Sequence, residues 1–331
     1  MRRSFVLLAG ALLAGALALP AAPAAVAAGD AGDDGSDGFT IEDPRITESS
    51  GLVASRAHPG VYWTHNDSDD GAFLYAVDSR TGKTVATVTM TGVGRPRDVE
   101  AISMGPNGHL YVGDIGDNLG GTWDHVWIYE LPEPKELKDQ TIRATQYDVK
   151  YADGARDAEA LMVHPKTGRV YIVSKNEDGG GLYEGPAELS ASGTNTFKRT
   201  AGIGLWATDG AFSPDGEQLA VRGYFGGIAY KWNNGKPKRQ AQLHVPLQRQ
   251  GESVTYTPDG STLLYGSEGG GSSVEPGSVP GGGGDKSSSG GGSSADGGDD
   301  GENGNFKMGA IAIAVAFAVV YGLKRLFRRR D

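Results

Sequence analysis

Apolar and polar residues alternate in short runs through the middle of this chain, and the runs come in sets. Aligning TESSGLVASRAHPGVYWTHNDSDDG, DVEAISMGPNGHLYVGDIGDN, DAEALMVHPKTGRVYIVSKNEDGG, TDGAFSPDGEQLAVRGYFGG and GESVTYTPDGSTLLYGSEGGG shows one plan used five times. Each copy opens on an acid (Glu48, Glu100, Glu159, Asp209, Glu252) and runs through a short apolar strand to a turn with Pro or Gly, such as Pro106-Asn107-Gly108 or Pro258-Asp259-Gly260. A second strand rich in Tyr, Val and Leu follows and ends in a Gly-rich or acidic loop. Third strands are predicted over 73–78, 126–131, 182–185 and 228–232, and fourth strands over 84–90, 144–151, 197–202 and 239–245.

The opening acids recur every roughly 40–60 residues, the period of a four-stranded propeller blade rather than of a helical solenoid. The pattern therefore predicts an all-β fold, a single five-bladed β-propeller over residues 39–268. The fifth copy has only two clear strands. An orphan β-like segment at 39–46, FTIEDPRI, is the natural donor of its outer strand, because pairing the chain ends closes the ring and removes two open sheet edges. No comparable third strand is evident for that blade, and 274–279 is a poor candidate for it.

The ends read differently. MRRSFVLLAGALLAGALALPAAPAAVAAGD has two arginines, an apolar run and Ala-x-Ala spacing at Ala25 and Ala27, the layout of a secretory signal peptide over 1–28. An acidic linker over 29–38 leads into the repeats. Residues 269–305 collapse to Gly, Ser and Asp and are expected to be a flexible tether with a reach of roughly 35 Å. Residues 306–327 contain the uncharged run MGAIAIAVAFAVVYGL, long enough for a membrane-spanning helix, and the basic tail 328–331 marks the cytoplasmic side. The expected protein is single-pass in the cell membrane, with an extracellular N-terminal domain and a cytoplasmic C-terminus.

The chain has 31 basic and 41 acidic residues, and eight of the basic ones fall in the terminal segments. The repeats are thus strongly acidic, which excludes nucleic acid as a partner and favours a cationic or calcium-bridged extracellular ligand. A monomer is expected. There is no cysteine, so thiolate metal sites, cysteine nucleophiles and disulfides are excluded. G-x-S-x-G, H-E-x-x-H and Walker signatures are missing, and the six histidines show no metal spacing, so no catalytic residue is assigned.

Propeller topology places the opening acids beside the loops that follow the second strands. Glu48, Glu100, Glu159, Asp209 and Glu252, with Asp67, Asp70, Asp114, Asp117 and Glu177, are the candidate metal ligands, a hard-oxygen set suited to calcium. Asx turns at blade corners are the competing reading. Four of the acids have an arginine three residues earlier, at Arg45, Arg97, Arg156 and Arg249. Turned inward these grip an anion, and turned sideways they form ion pairs between blades. Arg97, Arg156, Lys175, Trp123 and Tyr224 are the candidate ligand-binding residues.

Segments such as HNDSDDG and GDIGDN resemble those of secreted actinobacterial propellers with phytase-like, TolB-like or WD40-like repeats. The resemblance implies the propeller fold and, in its phytase-like form, a calcium-dependent phosphoesterase. Two further readings remain beside that hydrolase: a binding module displayed on a membrane stalk, and a structural scaffold of the envelope.

Overall fold

A computed structural model describes residues 36–68 and 70–281. The expected signal peptide, most of the acidic linker, the tether from 282 onward, the membrane segment and the basic tail lie outside the described residues. Among the described residues the fold is all-β, without a helix.

The chain enters on β1 (Phe39–Thr40). The first unit is then β2 (Ser49–Ala54), β3 (Val61–Asn66), β4 (Phe73–Asp78) and β5 (Thr84–Thr91). The second is β6 (Val99–Met104), β7 (His109–Asp114), β8 (Val126–Pro132), a short β9 (Gln140–Arg143) and β10 (Thr145–Tyr151). The third is β11 (Ala158–Val163), β12 (Val170–Ser174), β13 (Gly180–Glu184) and β14 (Asn195–Ile203). The fourth is β15 (Ala207–Phe212), β16 (Gln218–Gly223), β17 (Gly226–Asn233) and β18 (Lys236–Leu243). The fifth is β19 (Gly251–Tyr256), β20 (Thr262–Ser267) and β21 (Ser273–Ser278).

Apart from β9, the strands of each unit form an antiparallel meander in chain order, as the repeat predicts. The turn between first and second strands needs a left-handed residue, which Gly108, Gly216 and Gly260 supply at φ of 73°, 67° and 73°. In the fifth unit Asp259 Oδ1 organises that turn by accepting from Thr257 Oγ1 at 2.6 Å and Ser261 N at 3.0 Å. Outer strands stitch neighbouring units laterally, because β9 runs parallel to β5 and β10 parallel to β14.

Successive units pack through five apolar clusters, each shared by two neighbours. Strand alternation explains how one unit serves both sides. On β12, Val170 and Ile172 face the cluster shared with the second unit, while Tyr171 and Val173 face the one shared with the fourth. First strands adjoin in cyclic order, β2 to β6 to β11 to β15 to β19, and β19 returns to β2. The arrangement is propeller-like.

The fifth unit is completed as the sequence suggests at one edge and corrected at the other. β1 pairs antiparallel with β21, Phe39 opposite Val274 and Thr40 opposite Ser273, and Ile41 N donates to Ser272 O at 2.9 Å. Behind this pairing Ile41 and Ile46 are fully buried. The tether expected from Gly269 gives way to strand β21, which supplies the third strand that appeared missing. Val274 is its one well-buried side chain, so its apolar pattern is too thin to stand out among Gly, Ser and Pro.

A polar clamp joins the first two units. The Glu133 carboxylate, just after β8, accepts from Ser55 Oγ (2.5 Å), Trp63 Nε1 (2.9 Å), Arg56 N (3.2 Å) and Ala57 N (3.0 Å). Glu133→Ala strands four donors, two of them on buried side chains, and is expected to cost about 3 kcal/mol or more. Urea denaturation measures it, and a loss under about 1 kcal/mol would show that water replaces the clamp. Deleting 39–42 removes the pairing that closes the fifth unit together with the Ile41 contact. The whole domain should then unfold cooperatively at a markedly lower temperature, whereas a deletion that melts like the parent would place closure elsewhere.

Candidate functional site: buried carboxylates where the first strands begin

One irregularity recurs at the start of every first strand. The ladder slips between Ser49 and Leu52, Val99 and Ala101, Ala158 and Ala160, Ala207 and Asp209, and Gly251 and Ser253. A β-bulge leaves one residue without a cross-strand partner and re-aims its side chain. The bulged residues are Glu100, Glu159, Thr208 and Glu252, with Ser50-Gly51 at the slip in the first unit. Three of the five opening acids therefore share one structural position. Glu48 lies two residues before it, in the place of Asp98, and Asp209 one residue after it.

The three bulge acids are deeply buried, at 5%, 3% and 5% exposure. They are an interior cluster rather than the open acidic mouth that the sequence suggested. Asp98, two residues before Glu100, is also 5% exposed. Carboxylate oxygens of Asp67, Asp98 and Glu100 all lie within 4.8 Å of one another. Oxygens bound to one calcium at about 2.4 Å cannot stand further apart than about twice that distance, so the spacing fits a shared ion.

One observation independent of the acidic composition bears on a cation there: Asp67 Oδ1 is buried and accepts no hydrogen bond. Gly116 passes so close to the cluster that a Cβ on it would come within 2.6 Å of Asp98 Oδ2 and 2.8 Å of Glu100 Oε1, so any side chain there would collide with the acids. Asn118 Nδ2 donates to Asp98 Oδ2 at 2.9 Å and fixes that side chain.

Electrostatics agree. Burial drives the Asp67 carboxyl well above the usual range, and Asp98, Glu268 and Glu48 push it further. Glu100 is likewise raised well above its range, by burial first and then by Asp67, Glu159 and Asp98, with only Lys175 opposing. Glu268 is pushed up to about 8 by burial, Glu252 and Glu48. Like charges this close ionise together only beside a compensating cation.

The other side of the cluster has cations of its own. Lys175 Nζ donates to Glu159 Oε1 and, at 3.1 Å, to the Tyr224 hydroxyl, which also hydrogen-bonds Glu252. Burial opposes the Lys175 charge, but Glu159, Tyr224, Glu252 and Glu100 outweigh it and hold the ammonium protonated. Arg222 is fully buried and donates to Gln248 Oε1 (3.2 Å), Ser253 O (3.1 Å) and Gly266 O (3.0 Å).

The remaining candidates have other employment. Asp114 accepts from the amides of Arg97 and Asp98 (both 3.0 Å) and from the Tyr129 hydroxyl (2.5 Å), so it shapes the turn that presents Asp98. Asp117 accepts from Thr122 and from Trp123 N, and Asp70 from Asn66 Nδ2, Gly71 N and Tyr75. Those two fix loop backbone and neighbouring side chains, although not as Asx turns, since the amides they accept from lie one, five and six residues on. Asp209 Oδ2 accepts from Val254 N at 2.8 Å, joining the fourth unit to the fifth. Glu177 is exposed in a turn.

The arginines pair with none of the acids three residues on. Arg45 binds Asp43 at 2.6 Å, and Arg97 lies between the rings of Trp123 and Trp127 at 4.0 and 3.7 Å. Arg156 binds Asp153 at 2.6 Å and lies over Tyr183, and Arg249 is exposed. Trp123 and Arg156 line a small cavity of about 190 Å³, while Lys175 and Tyr224 belong to the carboxylate cluster. His65 is buried with its Nδ1 on Asn66 O, and burial lowers it to about 4, so it stays neutral. A larger cavity of about 470 Å³ lies at the far ends of the first strands, lined by apolar residues such as Met104, Val163 and Phe212.

No protein-family model matches this chain, and no curated protein matches it. Among solved structures it is similar to a candidate 6-phosphogluconolactonase from Bacteroides uniformis, at 14% identity over 71% of this chain and 68% of that one, TM-score 0.40. It is also similar to the hydrazine synthase of Kuenenia stuttgartiensis, at 15% identity over 67% of this chain and 56% of that one, TM-score 0.39. This chain thus spans little more than half the length of the second.

A pH dependence follows for the metal-free protein. Glu268 titrates near 8 when folded against an ordinary 4.5, so the stability tied to its proton is complete below about 4.5 and is lost as the pH rises toward 8. His65, lowered from 6.5 to about 4, acts in the opposite sense but only below about pH 6.5. Between pH 8 and 6.5 the carboxylates act alone. Thermal melts in EDTA should show stability increasing as the pH falls across that window, by about 1.5 kcal/mol from Glu268 alone. Glu268→Gln should flatten the slope, and a melting temperature that drops from pH 8 to 6.5 would contradict the assignment.

Proposed function

We propose that this chain is a five-bladed β-propeller displayed outside the cell on a membrane anchor, and that it works as a binding module whose centre holds one divalent cation, calcium by its donor chemistry. The observation that carries the reading is the convergence of Asp67, Asp98 and Glu100, with a buried Asp67 oxygen lacking a hydrogen-bond partner. All three donors are hard carboxylate oxygens, and the set contains no nitrogen or sulfur. Calcium tolerates the irregular, several-oxygen geometry that bulges and loop ends provide, while magnesium demands a tight octahedron.

Binding fits the surroundings better than phosphate-ester hydrolysis. A phosphoesterase needs cations gathered over the metal to hold its anionic substrate. Here Arg97 is stacked between two tryptophans, and Arg156 is tied to Asp153. A cationic or metal-coordinating ligand suits the acidic interior instead.

Calcium that binds only the folded state must stabilise it. At a hundredfold excess over Kd the gain is about 2.7 kcal/mol, which corresponds to a rise of roughly 5–10 °C in Tm for a domain of this size. Calorimetry of the full chain in detergent, in millimolar Ca²⁺ and in EDTA, tests this. Mg²⁺ should stabilise less, and the double variant Asp67→Asn, Glu100→Gln should lose the response while remaining folded. Identical melting curves in Ca²⁺ and EDTA would leave the carboxylates compensated from within the protein and would remove the metal from the reading.

A further inference from the structure

Lys175 stands where two other units place an acid. The residue just after the second strand is Asp67 in the first unit, Lys175 in the third and Glu268 in the fifth. The backbone shows that the three are equivalent, because each amide donates to the residue two before the bulge: Asp67 N to Glu48 O (2.8 Å), Lys175 N to Asp157 O (3.0 Å) and Glu268 N to Gln250 O (2.9 Å). One socket of the repeat therefore carries an ammonium group in place of a carboxylate.

That ammonium reaches into the cluster rather than out to solvent. Nζ donates to Glu159 Oε1 and to Tyr224, whose hydroxyl also bonds Glu252, so a single side chain engages two of the three bulge acids. Glu159 Oε2 is buried without a hydrogen-bond partner, which makes Lys175 its principal compensation. Glu100, the third bulge acid, is the one that groups with Asp67 and Asp98.

Building on the cation site described above, we propose that Lys175 is a covalently tethered cation that fills the Glu159–Glu252 side of the cluster and confines the metal to the Asp67–Asp98–Glu100 side. Without the ammonium, Glu159, whose Oε2 already lacks a hydrogen-bond partner, and Glu252 would be left as acceptors for a second ion. A divalent ion on Glu159 Oε2 would stand a few ångströms from the ammonium on Oε1, and repulsion between the two cations disfavours it there. Lys175 thereby sets both the number of ions and their place, which makes it a specificity-determining residue of the site.

The test is the number of calcium ions held per chain, counted by equilibrium dialysis and elemental analysis of the full protein in detergent. Acids elsewhere on the chain bind equally in all variants and cancel in the differences. Lys175→Met should hold one more ion than the parent, and its Tm should rise more on adding Ca²⁺ than the parent's does. If Lys175→Met folds only with calcium present, that dependence is the same result read as stability. Lys175→Met combined with Glu159→Gln removes ammonium and carboxylate together and should fall back to the parent's count. Asp67→Asn, Glu100→Gln should hold one fewer than the parent.

The outcomes separate the two readings. Equal counts in parent and Lys175→Met, with a normal fold, overturn the role of Lys175 but leave the Asp67 site standing if the Asp67, Glu100 variant still loses an ion. A count that rises in Lys175→Met but is unchanged in the Asp67, Glu100 variant keeps the tethered-cation role and overturns that site.

Discussion

The first and last units meet where β19 lies against β2 and β1 pairs with β21, and much of the structure depends on that junction. With Phe39 opposite Val274, the fifth unit is completed by the first strand of the chain, and every first strand acquires two neighbours. Only then do the bulged residues of separate units, distant in sequence, face one interior region. Glu100, Glu159 and Glu252 would be unremarkable surface acids on an open row of sheets. Closing the row buries them against one another, and their mutual repulsion becomes a demand that the protein must answer with protons, lysine or metal.

The answer differs from side to side. Toward the third, fourth and fifth units the compensation is internal, through Lys175 and the fully buried Arg222. Toward the first and second, the main charged influences on Asp67 are other carboxylates. Interactions that serve the ring should repeat with it, as the five apolar clusters and the three bulge glutamates do, whereas what compensates those glutamates differs from unit to unit.

Much of the architecture was legible in the sequence because it depends on local pattern. Alternation and Pro-Asp-Gly turns located the second, third and fourth strands to within a few residues, and FTIEDPRI stood out as an unpaired strand. β21 is only faintly legible: 274–279 stands out as no more than a poor candidate, because a strand carrying a single buried apolar side chain has no period to detect. The site was half legible. The repeat pattern picks out Glu100 and Asp67 but not Asp98, although Asp98-Val99-Glu100 and Asp157-Ala158-Glu159 display the same two-residue spacing. Bulges leave no mark in composition, so the alignment treated Glu48 and Asp209 as equivalents of Glu100, while the ladder sets one two residues early and the other a residue late. The stacking of Arg97 between two tryptophans depends on loop conformations that no local pattern encodes.

The bulges have a consequence for how such a centre can change. A residue in a regular ladder is tied to its cross-strand neighbour, so altering it disturbs the pairing of both strands. A bulged residue has no such obligation. Four of the positions carry three glutamates and a threonine at the same one-residue slip, and the first unit has Ser50-Gly51 at a wider one. They behave as interchangeable pegs around a hub, and the hub's charge can be rewritten one peg at a time while the wheel stays intact. A change of side chain at a bulge therefore alters the charge of the hub without breaking a cross-strand pair.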